Sequence, residues 1–479
     1  MAEKRFYITT PIFYPNAKLH MGHAYTTVIS DILARHHRLL GEKTHFLTGS
    51  DENTQKMVDA AGKEGKEPLV FLDGIVENFK TLYQNLDISY DQFIRTTDQK
   101  IHWPGAVLLW ENIKASGDLY EKEYEGLYCT GHEAFLTPKD FVDGKCPDHG
   151  TAPEMVREKN YFFKLSKYTD ILKEKIESDE LRIIPQTRKK EILSFISEGL
   201  EDISFSRLRR KDWPSGLGIG VPGDDSQVMY VWCDALSNYA TAVGYGRDET
   251  MFKTWWPADV HVIGKDILRF HAAIWPAILL SAGLPLPKSL LVHGFITSGG
   301  KKMSKSLGNV IDPLKLIEEY GSEAVRYFLS KLSTFEDGDL TPEAIKETYN
   351  ADLANGLGNL VSRIMKMTTD HKVDLSPEQK AVSYQDVAVG NLLKNFNIAG
   401  ELSEIWTEIA SIDEKIQKDE PFKTIKTEPE RARKDLYAIL ERLFNVALRL
   451  EPYMPETSKR IIEAIKTNKK PENLFPRKD

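Results

Sequence analysis

Cysteine is scarce, with three among 479 residues, so no disulfide framework can hold this chain together. No stretch approaches the roughly 18 uninterrupted apolar residues needed to cross a bilayer, and the start, MAEKRFYITT, has no apolar signal core. These absences lead us to expect a soluble, cytoplasmic protein with no membrane partner. An excess of positive charge is also lacking: 63 Lys and Arg stand against 71 Asp and Glu, a net charge of −8. That excludes indiscriminate coating of nucleic acid, which relies on a broadly basic surface, and leaves only local basic patches for any such partner. Internal repeats and low-complexity tracts are absent too, so a solenoid is not expected. What remains is an ordinary globular composition, 41% hydrophobic and 10% aromatic, able to bury more than one core.

The hydrophobic periods divide the chain. RFYITTPIFY mixes β-branched and aromatic residues, and HAYTTVISDILARHHRLLG repeats its apolar positions at helical spacing up to the stop at Gly41. THFLTGSDEN then reads as a short buried strand ending in polar residues. Strand, helix, strand predicts an α/β fold with a parallel sheet and ligands at the carboxyl ends of its strands. This pattern covers residues 1–119, breaks over 120–225 in a stretch rich in Tyr, Lys and turn residues, and resumes over 226–298 with VMYVWCDALSNYA and ADVHVIGKDILRFHAAIWPAILLSAG. The middle stretch looks inserted. A loop and linker fill 299–341, and from 342 to 479 the period is helical throughout, which predicts an α-helical bundle.

Two short motifs carry chemistry. His20 and His23 fall in the first turn of the predicted helix, where unpaired backbone N–H groups and the helix dipole favour an anion, and Gly22 between them bares the backbone. Taken alone, such a pair also fits a helix cap or an adventitious metal. The second motif, GFITSGGKKMSKSLGN, sets Lys302, Met303, Ser304 and Lys305 between glycines, so that two ammonium groups can bear on one polyphosphate. Taken alone, it also fits a solvated loop. Together they point to nucleotide phosphate chemistry.

HMGH after an amino-terminal strand and KMSKS far downstream resemble the two signatures of class I aminoacyl-tRNA synthetases. The stretches TTPIFYPNAKLHMGHAYTT, YVWCDALSNY, IGKDILRFH and VHGF resemble the methionyl-tRNA synthetase family in particular, and the likeness extends over nearly the whole chain. The resemblance implies a Rossmann-type sheet with an inserted connective domain and a helical anticodon-binding bundle. It also implies an ATP-dependent enzyme that forms methionyl-adenylate with Mg²⁺-bound ATP, releases pyrophosphate, and transfers the methionyl group to the terminal adenosine of tRNA(Met).

Carried onto this sequence, the resemblance gives His20 and His23 to the ATP phosphates, Gly22 to the adenine, and Lys302 and Lys305 to the α-phosphate and departing pyrophosphate, with Met303 and Ser304 in the same loop. Gly264 and Asp266 resemble the ribose-binding stretch. Arg207 matches an arginine near the reacting phosphate, although the neighbouring Arg209, Arg210 and Lys211 make a basic run that could instead face tRNA. Trp232, Ala235, Leu236 and Tyr239 share one helical face, and Ile267 and His271 another. By spacing these stripes are also compatible with plain core; by resemblance they line the methionine side-chain pocket with Ile12 and Tyr14, while Asp51 meets the substrate ammonium. Leu236 stands where some relatives have proline, and Ala17 where they have glycine. Asn359 and Arg363, a turn apart, would read the CAU anticodon, and Phe422 would stack on one of its bases where relatives carry tryptophan. The chain ends at Asp479, soon after the bundle, without the extension by which longer relatives dimerise, so a monomer is expected.

Within the inserted stretch, Cys129-x2-His132 and Cys146-x2-His149 form two pairs separated by a short loop, a donor set suited to tetrahedral Zn²⁺ in a closed structural site. The family includes knuckles that are mostly cysteine and members with none, so a knuckle held by hydrogen bonds alone is the alternative. Two rival readings of the whole chain are a nucleotidyltransferase of the HxGH type, disfavoured by the long bundle, and a silent RNA-binding paralogue, disfavoured by intact His20, His23, Lys302 and Lys305.

Overall fold

The computed structural model describes residues 4–15, 20–129, 134–136, 141–147, 150–209, 214, 216–303, 309–388, 390 and 392–478, and for residues 55, 56, 124, 125, 134–136, 156, 158 and 302 the backbone alone. Among them, no helix is long and apolar enough to cross a membrane.

Six parallel strands form the central sheet, in the spatial order β3 (Gln92–Arg95), β2 (Lys43–Ser50), β1 (Arg5–Thr9), Val260–Gly264, Ser289–His293, Arg182–Ile184. Alternation along β1 explains why the sheet is covered on both sides: Phe6 and Ile8 enter one apolar core, while Tyr7 enters the other. The strand order reverses between β1 and Val260–Gly264, which opens a crevice at their carboxyl ends. The next helix in the chain, α1 (Met21–Leu39), ends at Leu40 and the left-handed Gly41, φ 78°, where the glycine stop was expected.

The stretch 120–225 is not separate along its whole length. Its long hairpin of Leu119–Cys129 and Glu154–Phe163 does stand apart as a small antiparallel sheet, yet Arg182–Ile184 joins the edge of the main sheet beside Ser289–Leu291. Leu172, Ile176, Ile183 and Ile192 share the core that contains Tyr239 and Trp275, so burial of these side chains ties this part to the main sheet.

The other core runs continuously from Phe6 and Ile29, through Val325 and Phe328 of the linker helix Ser322–Lys331, into Leu357, Ile405, Leu443 and Phe475 of the helical bundle. Arg326 of the linker helix pins the layers together. Its fully buried guanidinium pairs with Asp31 of α1 at 2.7 Å and donates to the carbonyls of Leu86, Pro452 and Tyr453.

Candidate active site

At the start of α1 the two histidines cap the helix that carries them. His20 has extended backbone at the N-cap, φ −133° and ψ 169°, and its Nδ1 accepts the Gly22 N–H at 3.1 Å; the His23 Nδ1 accepts the His20 N–H, more loosely, at 3.4 Å. A ring nitrogen that accepts from a backbone amide carries no proton, so both imidazoles hold their proton on Nε2 when neutral. Burial and the adjacent His20 lower the His23 pKa well below its ordinary value, so that ring is neutral near pH 7. The rings stack with centroids 3.8 Å apart, and Phe13 and Phe79 meet His23 edge-on. A Cβ on Gly22 would lie 3.0 Å from Nδ1 and Cε1 of His20, so the glycine makes room for the folded-back ring. The cap reading and the phosphate reading are thus compatible: the Nδ1 lone pairs serve the helix, and the proton of each neutral ring sits on Nε2.

The lysine motif begins on a hairpin. Ile296–Ser298 pairs with Lys301–Lys302 across a turn of Gly299 and Gly300, whose φ values of 63° and 69° require glycine. Asp339 clamps this turn, accepting from the Thr297 Oγ1 and the Gly300 N–H. Ile296 shares a core with Met21 and Tyr25 of α1, and half-buried Met303 packs against the same core. The base of the lysine motif is therefore fastened beside the helix that carries the histidines. Ser304 and Lys305 lie outside the described residues, as does the Lys302 side chain.

Behind α1, Thr26 Oγ1 meets the His293 Nε2 at 2.8 Å while the His293 Nδ1–H donates to the Gly294 carbonyl. This buried histidine joins the middle of α1 to the end of Ser289–His293, a role signalled in the sequence only by VHGF. Gly264 ends its strand close to the Asp266 carboxylate: an added Cβ would lie 2.6 Å from Oδ1. Asp266 itself is exposed.

The residues expected to enclose methionine converge at the carboxyl ends of β1 and β2. Phe13 and Ser50 form a parallel bridge, and the Asp51 N–H donates to the Phe13 carbonyl at 3.0 Å, so residues 12–14 run beside 49–51. A Cβ on Gly49 would collide with Ile94 and with Ile12, which places half-buried Ile12 on the bare backbone of β2. Ala235, Leu236 and Tyr239 are buried on the pocket helix Val231–Thr241, and half-buried Trp232 stacks on Phe270 at 3.7 Å. Opposite, a π-helical turn at Phe270–Ile274 presents His271 to Tyr239. The His271 Nδ1–H donates to the Ile267 carbonyl, so its Nε2 accepts the Tyr239 O–H at 2.7 Å. Burial lowers the His271 pKa to about 4, which keeps it an acceptor. Burial raises the Tyr239 phenol far above its ordinary value, and the charge of nearby Asp51 adds to this. His261, missed in the sequence because it occupies an ordinary inward strand position, stacks on Tyr239 at 4.2 Å and bonds Thr9.

Arg207 is half-buried and turns inward. It donates to Ser204 Oγ and the Ser206 carbonyl, and its guanidinium lies 4.7 Å from the ring of Tyr230, the residue that opens the pocket helix. Far from the crevice, Asn359 is exposed at the start of its helix, Arg363 pairs with Asp413 at 2.6 Å, and Phe422 is 44% exposed just beyond the helix that contributes Asp413. In the inserted stretch, Cys129 and Cys146 are buried and in no disulfide, and the Cys146 carbonyl accepts from the Gly150 N–H. His132 and His149 lie outside the described residues. Among the described residues there is no cluster of three or more metal-ligating side chains.

A doubly wound parallel sheet with paired imidazoles at its first helix and a lysine hairpin beside them defines a nucleotide-binding fold of the class I synthetase kind. The family model described as tRNA synthetases class I (M) matches residues 6–152 and 148–365. The methionine–tRNA ligase of Caldanaerobacter subterraneus subsp. tengcongensis is 44% identical over 478 residues, covering 97% of this chain and 74% of that protein. The one from Thermotoga maritima is 40% identical, covering 98% and 76%. The solved structure of Mycobacterium tuberculosis methionyl-tRNA synthetase in complex with methionyl-adenylate superposes with a TM-score of 0.88 at 35% identity, covering 99% of both chains. The chain belongs to the methionyl-tRNA synthetase family.

Proposed function

We propose that the protein joins L-methionine to tRNA(Met) in two steps driven by ATP. A methionine carboxylate oxygen attacks the α-phosphorus of ATP, the bond to pyrophosphate breaks, and methionyl-adenylate forms; a hydroxyl of the terminal adenosine of tRNA then attacks the carbonyl carbon and AMP departs. Little covalent work falls to the protein. Its part is in-line positioning and donors placed where charge accumulates. The Nε2–H groups of His20 and His23, with Lys302 and Lys305, take the triphosphate, and Mg²⁺ enters bound to those phosphates. Arg207 serves the α-phosphate end, Gly22 the adenine, Met303 and Ser304 the closing loop, and Gly264 and Asp266 the ribose. Asp51 pairs with the substrate ammonium. Ile12, Tyr14, Trp232, Ala235, Leu236, Tyr239, Ile267 and His271 surround its side chain, where a thioether finds aromatic rings and no strong donor, because the Tyr239 proton is held by His271.

Asn359, Arg363 and Phe422 read the anticodon. Cys129 and Cys146, with His132 and His149, hold a structural Zn²⁺: two buried thiols outside any disulfide suit such a donor set. The protein acts as a monomer. The observation that carries this reading is the fixed Nε2–H tautomer of both imidazoles at the start of α1, beside the base of the lysine hairpin. Pyrophosphate exchange tests it. Exchange into ATP that depends on methionine is expected; exchange that needs a different acceptor, or none at all, refutes it.

A further inference from the structure

Beneath the expected methionine pocket lies a hydrogen-bonded group that the chemistry above does not use. Asp234 sits in the first turn of the pocket helix with no exposure, and its two carboxylate oxygens face different elements. Oδ2 accepts from the Asn53 amide at 2.7 Å, and Oδ1 meets the His102 Nε2 at 2.6 Å. His102, also fully buried, opens the helix Trp103–Ala115 and reaches the Thr241 hydroxyl through Nδ1. Asn53 belongs to the irregular segment that follows β2, two residues after Asp51. Residues 51–54 are all buried without regular structure, so side-chain bonds have to hold them. Glu52 ties the segment to β3 through Arg95, Thr97 and the Thr96 hydroxyl. Asn53 ties it to the pocket helix.

We infer that the Asn53–Asp234 bond is a positioning strut that sets the span of the amino-acid site, fixing Asp51 at its ammonium end relative to the pocket helix at its side-chain end. The inference rests on the methionine reading above. The geometry is over-determined for a plain packing role. Asn53 and Asp234 join the ammonium-side segment directly to the helix bearing Trp232, Ala235, Leu236 and Tyr239, and the back of Asp234 is buttressed by a second, equally short bond to His102. A carboxylate can only accept, so the Asn53 amide nitrogen must face it and the orientation of Asn53 is fixed. Loss of this charge-assisted bond frees the Asp51 segment while leaving the start of α1, the lysine hairpin and the Gly264 turn untouched.

The test is pyrophosphate exchange with methionine and ATP varied separately, using Asn53→Ala, Asn53→Ser, Asp234→Leu and Asp234→Asn. Asn53→Ala removes the strut and should raise the KM for methionine about tenfold or more, with the KM for ATP moving less than about twofold. Asn53→Ser, too short to reach Asp234, should behave alike and serves if the alanine variant does not fold. Asp234→Leu should reproduce the methionine defect. Asp234→Asn should rescue most of it, because its carbonyl can still accept from Asn53 while its amide turns to His102, whose proton can move to Nδ1. A KM split of this kind, with rescue by the isosteric amide, is not what a general loss of packing produces. An unchanged methionine KM in both Asn53 variants, equal rises in the two KM values, or Asp234→Asn as defective as Asp234→Leu would each overturn the strut while leaving the methionine reading intact. Absence of methionine-dependent exchange in the parent protein would instead overturn the reading itself, and the strut with it.

Discussion

Replacing Arg326 by methionine keeps the stem of the side chain and deletes the charge that joins three layers of the molecule. The parent guanidinium pairs with Asp31 at 2.7 Å, both side chains having no exposure, and donates to three carbonyls at 2.8 to 3.0 Å. Removing one partner of a buried ion pair costs about 3–5 kcal/mol. Here the lower end applies to Asp31 itself, because it keeps Arg35 at 2.8 Å and two bonds from Ser89. The orphaned carbonyls of Leu86, Pro452 and Tyr453 add about 1 kcal/mol or more each. The sum is about 6 kcal/mol, comparable to the whole stability of a typical domain at about 5–15 kcal/mol. Because the bonds cross between α1 and the end of the bundle, the loss should appear as undocking of the bundle before the sheet unfolds. Urea unfolding followed by tryptophan fluorescence, with hydrogen exchange on the α1 amides, reads both effects. The double variant Asp31→Leu/Arg326→Met should recover about 2 kcal/mol or more relative to Arg326→Met, since no buried charge is then left alone. If Arg326→Met unfolds within about 1 kcal/mol of the parent, the pin has been assigned weight it does not have.

Other outcomes follow from the same structure. Lys302→Ala should slow adenylate formation by about 10²–10³-fold while leaving the Kd for methionine nearly unchanged, as for a donor that acts on developing charge; equal losses in both would assign the hairpin to substrate binding. Metal analysis of the purified protein by mass spectrometry should find close to one zinc per chain, and a value near zero rejects the Cys129/Cys146 site. Stability should fall as pH drops below about 6.5: burial lowers His271 to about 4, and burial together with neighbouring His37 lowers His36 to about 3. Unfolding therefore takes up protons between those values and about 6.5, which contributes about 1.4 kcal/mol per pH unit for each ring. Melting temperatures at pH 7, 6 and 5 should decline steadily, and a level or rising series contradicts neutral burial of these rings.

The local part of this architecture was legible in the sequence because its determinants are local. Period and stop signals located α1 and β2, and the i, i+3 spacing of His20 and His23 put both at a helix start. Arg182–Ile184 escaped because three residues carry no period, and its strand identity comes only from pairing with Ser289–Leu291. The π-helical turns at Phe270–Ile274 and Tyr349–Gly358 escaped for a related reason. Each inserts a slip into the 3.6-residue repeat, so the bond that aims His271 at Tyr239 was not foreseeable. Among the links that join distant segments, Asp31, Arg326 and Asp234 are single polar residues inside apolar stretches, while Asn53 is one of several polar residues in a row. Nothing near such a residue in the chain names its partner.

The histidine pair shows how a local and a functional signal can coincide. A helix start needs acceptors for its first amides, and a polyphosphate needs donors at the same place. A carboxylate or hydroxyl cap satisfies the amides, but a carboxylate then repels the phosphates. Imidazole meets both demands, because accepting through Nδ1 forces the proton onto Nε2, as the bonds from Gly22 to His20 and from His20 to His23 require. Gly22 completes the arrangement by leaving the space into which the His20 ring folds. The same few bonds that begin the helix therefore set the tautomer of its imidazoles, so the opening of α1 and the readiness of the proposed phosphate site are one structural event.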